Sequence, residues 1–338
     1  MNLKLQTVFV HALGFALCAG FIDGACGQQR TVPPDGTPSY PVKSIRIVTP
    51  YTSGSPVDVL ARVVAQDLSI QIGQGVIVEN RPGAGTTIGN KMVAAAPPDG
   101  YTLLISGTAN VAFTPSLYPD AGYDALKSFA PVATLVVWSH VLIATNQLPA
   151  KTLPELVTLA RARPGKITLG YGLATVPHIL AETLKGAAKI DISGIPFKGG
   201  AQAVSEMLGG RIDLNIGTVA TLLPLIRAGK VRPLAFTGRT RSVDLPDVPT
   251  TAEGGYPDVG FNPDVCSAMF APAGTPVAII NRLNAAVNAG LASPELKATF
   301  VKFGMEPKSG SPQELASFMV EQVRKWPGII KATGVKPE

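Results

Sequence analysis

From Ile45 onward the chain alternates short β-branched runs with helical stretches, and this rhythm limits the fold more than any other feature. Ile45-Arg46-Ile47-Val48-Thr49-Pro50 reads as a strand. Residues 56–72 read as a helix with Val59, Leu60, Val63, Val64 and Leu68 on one face and Gly73 past its end. Strand 76–79, helix 88–96 stopped by Pro97-Pro98, and strand 101–106 follow. The apolar stretch 130–145 is divided by Pro131, Ser139 and His140 into runs suited to buried strands rather than a membrane helix. Helix 153–163 opens with Thr152 facing Glu155, a capping-box pattern, with proline just inside its start. Strand–helix pairs continue at 167–170 with 177–188, 192–196 with 201–208, and 214–217 with 221–228. Such alternation predicts an α/β fold in which mainly parallel sheets are flanked by helices.

At 338 residues the chain is long enough for two domains. Its last third differs from the rest: helices 276–291, 294–303 and 312–332 dominate, with one short strand at 305–308. These helices can close over the domain that the chain began. The expected organisation is a discontinuous first lobe, 40–134 and 250–338, with 135–249 inserted as the second. The crossings are expected near Leu135 and Thr250.

The first residues read as an export leader. Lys4 precedes an apolar run at 8–19, too short for a membrane span, and Ala25-Cys26-Gly27 offers small residues for cleavage before Gln28. A signal peptide over 1–27 implies a periplasmic protein. A lipid on Cys26 is disfavoured by Asp23, where a large apolar residue is expected. Cleavage would leave Cys266 as the sole cysteine, so no internal disulfide is possible. Cys266 lies in an apolar segment and reads as a small buried hydrophobe. The net charge of +6 comes from lysines and arginines spread singly, which argues against a nucleic-acid groove or a polybasic membrane patch.

Three strand-to-helix loops could hold a ligand, because ligands sit beyond the carboxyl ends of parallel strands. The first holds Tyr51, Thr52, Ser53, Gly54, Ser55 and Asp58 ahead of a helix. It reads either as an anion site built on free helix amides or as a capped turn with Asp58 stabilising the helix end. The second repeats the logic with Gly170, Gly172, Ala174, Thr175 and His178, where His178 either touches ligand or is structural. In the third, Lys198 precedes Gly199-Gly200 and either faces an anion or is a solvated turn residue.

Gly83, Gly85 and Gly89 mimic a dinucleotide fingerprint, but the last spacing is one residue too long and the run follows the second strand. It is assigned to a structural turn near the cleft. Only His140 and His178 follow the leader, no metal-ligand spacing occurs, and no nucleophile elbow exists. Neither a cofactor nor a metal is expected.

The chain resembles the Bug family of periplasmic solute-binding proteins, which serve tripartite tricarboxylate transporters. The resemblance runs from about Tyr40 to the C-terminus. It rests on residues 40–48 (YPVKSIRIV), 78–85 (VENRPGAG), 97–104 (PPDGYTLL), 196–199 (PFKG), 208–213 (LGGRID) and 245–250 (LPDVPT), in that order and spacing. It implies a clamshell of two lobes that holds a carboxylate by backbone amides, hydroxyls and bridging waters from the loops at 51–58 and 170–178. This chain departs from the family pattern at Ser55, at Leu173-Ala174-Thr175 and at Cys266, where a tryptophan is common. Ala174 is expected to lack the freedom for a positive φ that glycine has.

The resulting expectation is a non-enzymatic, monomeric binding protein. It would capture a mono-, di- or aromatic carboxylate between its lobes and pass it to the membrane subunits of such a transporter. Three alternatives remain open at this stage: a carboxylate sensor docking on a membrane kinase, an exported hydrolase using Ser53 or Ser55 with His178, and a nucleotide-dependent enzyme reading the 83–89 glycines.

Overall fold

The computed structural model describes residues 40–238, 240–242, 244–259, 265–303 and 305–334, and the leader expected at 1–27 lies outside the described residues. The chain begins with β1 (Ile45–Thr49), α1 (Pro56–Ile72), β2 (Val76–Asn80), α2 (Thr87–Ala94), β3 (Thr102–Gly107), α3 (Thr108–Leu117) and β4 (Phe129–Val137). It crosses to β5 (His140–Thr145), α4 (Leu153–Ala162), β6 (Thr168–Gly172), α5 (Val176–Ala188), β7 (Ser193–Phe197), α6 (Gly200–Leu208), β8 (Leu214–Thr218), α7 (Val219–Arg227) and β9 (Val231–Phe236). It returns as β10 (Cys266–Pro272), α8 (Val277–Ala292), α9 (Pro294–Lys302), β11 (Glu306–Pro307) and α10 (Pro312–Thr333).

Among the described residues the strands form two sheets, β11-β4-β10-β3-β1-β2 and β7-β6-β8-β5-β9. The fold is α/β with two lobes. Both sheets are mixed, with most strands of each running parallel as expected and a minority running against them. β10 runs antiparallel to β3 and β4, and β5 runs antiparallel to β8 and β9. The double crossing explains this. A strand arriving from the other lobe enters at the end where the parallel strands finish, so it must run against them.

β4 stays with the first sheet as far as Val137, and Phe236 of the second still donates to Pro249 O and accepts from Thr251 N. Trp138 sits at the crossing. Its backbone N donates to Val265 O at 2.6 Å, and its indole Nε1 donates to Ser267 Oγ at 2.7 Å. The outgoing and returning chains are thus tied where they pass between lobes.

Alternation along β5 shows why the inserted lobe holds together. Leu142 and Ala144 join the large core, whereas Val141 and Ile143 face a second cluster with Leu222, Leu223, Phe236 and Met207. A strand buried on both faces reads as an unbroken apolar run, which is how 141–144 appears in the sequence. β9 escaped the sequence reading because Pro233 interrupts it. It is an edge strand, where a missing N–H is tolerated.

The C-terminal helix reaches across the molecule. α10 starts with a complete capping box, Ser311 with Glu314, and packs on α3 and β4 of the first lobe and on α5 of the second. Its buried stripe is Leu315, Met319, Gln322, Trp326 and Ile330. Trp326 is fully buried and meets Phe113 of α3 edge-on, with ring centroids 5.4 Å apart.

Candidate functional site between the lobes

The first loop is organised around a buried carboxylate. Asp58 is 2 % exposed. Its Oδ2 accepts from Gly54 N at 2.8 Å and Arg62 Nε at 3.1 Å, and its Oδ1 accepts from Asn80 Nδ2 at 2.8 Å. Asn80 also donates to Tyr51 O at 3.1 Å, so β2 pins both ends of the turn. Ser55 Oγ caps α1 by accepting from Asp58 N. Burial pushes the Asp58 carboxyl up, but hydrogen bonds from Arg62, Gly54 and Asn80 outweigh it and hold the pKa below the usual value. The capped-turn alternative describes α1. The turn leaves Thr52, Ser53 and Gly54 exposed.

Tyr51 leads to a segment that the sequence reading missed. Its hydroxyl donates to Asn110 Oδ1 at 3.0 Å and accepts from Gly107 N at 3.2 Å. Burial pushes its pKa up to about 12. Gly107 is the N-cap of α3, and no side chain caps that helix. α3 was missed because it is buried nearly all round, with Thr108, Ala109, Asn110, Val111, Phe113 and Thr114 all inside. Such a helix shows no polar face and hence no 3.6-residue period. The signal that could have found it is Ser106-Gly107-Thr108 directly after a strand, the small-residue pattern shared with the other loops.

The second lobe meets this segment at Ala174. Asn110 Nδ2 donates to Ala174 O at 3.3 Å, a hydrogen bond from the first turn of α3 to the loop before α5. Thr175 Oγ1 turns back to Gly172 O at 2.6 Å instead of capping α5, whose N-terminus has no side-chain cap. The expectation for Ala174 is overturned: it sits at φ +52°. An L-residue is strained there, and neighbours must hold it. One of them is His178, whose Nδ1 accepts from Ala174 N at 3.3 Å and whose ring stacks on Tyr171, centroids 4.2 Å apart.

The remaining candidates separate. Thr52 lies against the third loop, since a Cβ built on Gly199 would fall 3.3 Å from Thr52 Oγ1. Lys198 is exposed. Gly170 is inside the sheet, its carbonyl accepting from Asn215 Nδ2 at 2.9 Å. The glycine run forms a tight turn with Gly83, Ala84, Gly85 and Thr86 all at positive φ. A Cβ on Gly85 would come within 2.6 Å of the Tyr118 ring and 3.1 Å of the Ala174 Cβ, so only glycine fits. Thr86 is anchored beneath by Asn90 Nδ2 at 3.2 Å, with Thr114 Oγ1 at 3.4 Å. The run abuts the cleft without the helix geometry of a pyrophosphate site, because Thr86, at the start of α2, has φ +83° and no side-chain cap.

Two uncapped helix N-termini from opposite lobes therefore meet at the Asn110–Ala174 contact. No side chain caps either N-terminus, and their partial positive charge suits an anion, which neutral donors can hold without a guanidinium.

Comparison with known proteins gives the family of the chain. The model of the tripartite tricarboxylate transporter family receptor matches residues 60–335. The chain belongs to that family. Protein BugT of Bordetella pertussis is 35% identical over 305 residues, covering 90% of this chain and 93% of BugT. Among solved structures, Rpa4515 of R. palustris with adipate superposes with a TM-score of 0.82 at 33% identity, covering 88% of this chain and 100% of that one. MatC (Rpa3494) from Rhodopseudomonas palustris with bound malate gives 0.80 at 29% identity, covering 86% and 100%. Members of this receptor family are periplasmic solute-binding proteins, and the two neighbours carry dicarboxylates.

Proposed function

We propose that this receptor captures a small carboxylate between its lobes in the periplasm and presents it to the membrane subunits of a tripartite transporter, without chemical conversion. The observation that carries the reading is the meeting of the uncapped N-termini of α3 and α5. A carboxylate entering there gains donors from both lobes, so binding favours the closed arrangement. The ligand-facing groups are the Tyr51–Ser55 turn and Gly107–Asn110 on one side, with Gly172–Thr175 on the other. Asp58 and His178 shape these walls from behind. Adipate and malate in the two neighbours support a dicarboxylate as the first class to try.

Two contacts speak against the hydrolase alternative with Ser55. Ser55 Oγ is engaged at the start of α1, and His178 Nδ1 accepts from Ala174 N rather than from a serine. Proton abstraction would need a serine within hydrogen-bond reach of that imidazole.

A thermal-shift series with adipate, malate and their diamides tests the proposal. Saturation at a hundred times the dissociation constant adds about 2.7 kcal/mol and raises the midpoint by a few degrees. The diacids are expected to shift the midpoint and the diamides to leave it alone. No shift with any mono-, di- or aromatic carboxylate, on protein refolded to strip retained ligand, would refute carboxylate capture.

Asn110→Asp probes the site directly. It places a carboxylate where the two helix N-termini meet and removes the donor to Ala174 O. Adipate affinity is expected to fall by about tenfold or more, and some stability should go with it, because the buried carboxylate faces the Ala174 carbonyl and the favourable helix N-terminus offsets only part of that cost. Unchanged affinity in a calorimetric titration would move the anion site elsewhere.

A further inference from the structure

We propose that His178 is a positioning residue for lobe closure: as an unprotonated acceptor it holds Ala174 in its left-handed conformation, so that the Ala174 carbonyl faces Asn110 across the cleft. This rests on the carboxylate-capture reading and adds a device to it.

The two backbone polar groups of Ala174 work in opposite directions. Its N–H is directed into its own lobe, to His178 Nδ1 at 3.3 Å, and its C=O accepts from Asn110 of the other lobe at 3.3 Å. The residue is fully buried, and its methyl lies against the Gly85 turn of the first lobe. At φ +52° alanine has no intrinsic preference for this geometry. If Ala174 relaxed to negative φ, its N–H would swing away from His178 and its carbonyl away from Asn110. The latch between the lobes would be lost.

The imidazole is built to stay an acceptor. It is 6 % exposed, and the Tyr171 ring covers one face from β6. Accepting at Nδ1 requires that nitrogen to carry no proton. Burial pushes the His178 pKa down, Glu182 on the same helix favours protonation, and Lys185 opposes it. α5 also packs on β6, β8, α10 and the 257–259 turn, which carries Asp258, and the charges that act on the ring are those of Glu182 and Lys185. Once protonated, Nδ1–H would face Ala174 N–H, donor against donor. Closure should therefore weaken in acid.

The experiment places one fluorophore on each lobe, at Val277→Cys of α8 and Leu208→Cys of α6, both exposed. It reads the interlobe distance with and without adipate in wild type, His178→Ala, His178→Asn and the pair His178→Ala with Ala174→Gly. Asparagine puts an acceptor oxygen near the position of Nδ1 without a titrating group. In His178→Ala the ligand-free distance should lengthen and adipate affinity fall by about tenfold. His178→Asn should restore both to within about threefold. Glycine at 174 needs no partner to reach positive φ, so the double variant should recover part of the loss, a coupling that bulk destabilisation would not produce. On acidification the wild-type distance should lengthen through the histidine titration while His178→Asn stays flat.

Equal distances and affinities in wild type and His178→Ala overturn the proposal, as does an Asn variant that opens in acid like wild type. If His178→Ala fails to fold, the Asn comparison still decides. If no carboxylate binds wild type, the functional reading falls, while the ligand-free distances still decide the role of His178.

Discussion

Trp326→Ala is expected to cost about 3–5 kcal/mol of folding stability, the range for deleting a fully buried aromatic side chain. Its ring is fully buried on α10, edge-on to Phe113. Its indole Nε1 donates to buried Gln322 Oε1 at 2.7 Å, and truncation would leave that amide without this partner. For a chain of this size the midpoint should drop by roughly 5–10 °C. Trp326→Phe keeps a six-membered ring against Phe113 but loses the hydrogen bond and part of the indole volume, so a smaller cost of about 1–3 kcal/mol is expected. Because α10 spans α3 and α5, the alanine variant should also loosen the contact between lobes. Denaturant melts of the two variants check this. Equal losses would mean that the hydrogen bond, not ring packing, dominates.

Asp58→Asn is expected to cost about 2–4 kcal/mol and to impair ligand capture together with stability. Gly54 N, Arg62 and Asn80 Nδ2 all donate to the carboxylate, and a carboxamide cannot accept from all of them at both of its positions. The Arg62 side chain is 52% exposed, so the charge pair itself is screened and the hydrogen bonds carry most of the effect. The pH dependence has a definite sign. The folded-state pKa of Asp58 is depressed. Its contribution is therefore complete above the unfolded carboxylate pKa near 3.9 and is lost as pH falls through the lower folded value. Wild type and Asp58→Asn should then differ most at neutral pH and converge in strong acid. A difference that grew below pH 4 would contradict the hydrogen-bond assignment.

The Asp58 site also shows what sequence reading can reach. The small residues of 51–55 and the acid at 58 were visible as a helix start, because capping preferences act within one turn of chain. What could not be seen is that Asn80, across β2, completes the carboxylate shell. That partnership depends on the parallel register of Thr49 with Asn80. His178 gives the same lesson. It was identifiable as one of two histidines after the leader, but its partner Ala174 is defined by a backbone angle. Sequence reasoning assigned that angle wrongly, because it knew alanine's preference and not the packing that overrides it.

Asn110 marks the larger omission. Propensity and periodicity find helices that face water on one side, and α3 does not. The antiparallel direction of β10 and β5 was likewise invisible, since strand direction follows from the path between lobes and not from composition.

By itself the sequence determined the alternation of elements, the two-lobed α/β class, the family and the loops from which a site could be made. These follow from local rules of capping, periodicity and burial that act over a few residues. Tertiary structure alone decided which loops face one another, that Ala174 is held left-handed, and that α3 and α5 bring two helix N-termini to one point. Those outcomes depend on contacts between residues far apart in the chain, such as Asn110 with Ala174, whose energies exist only once both lobes have folded.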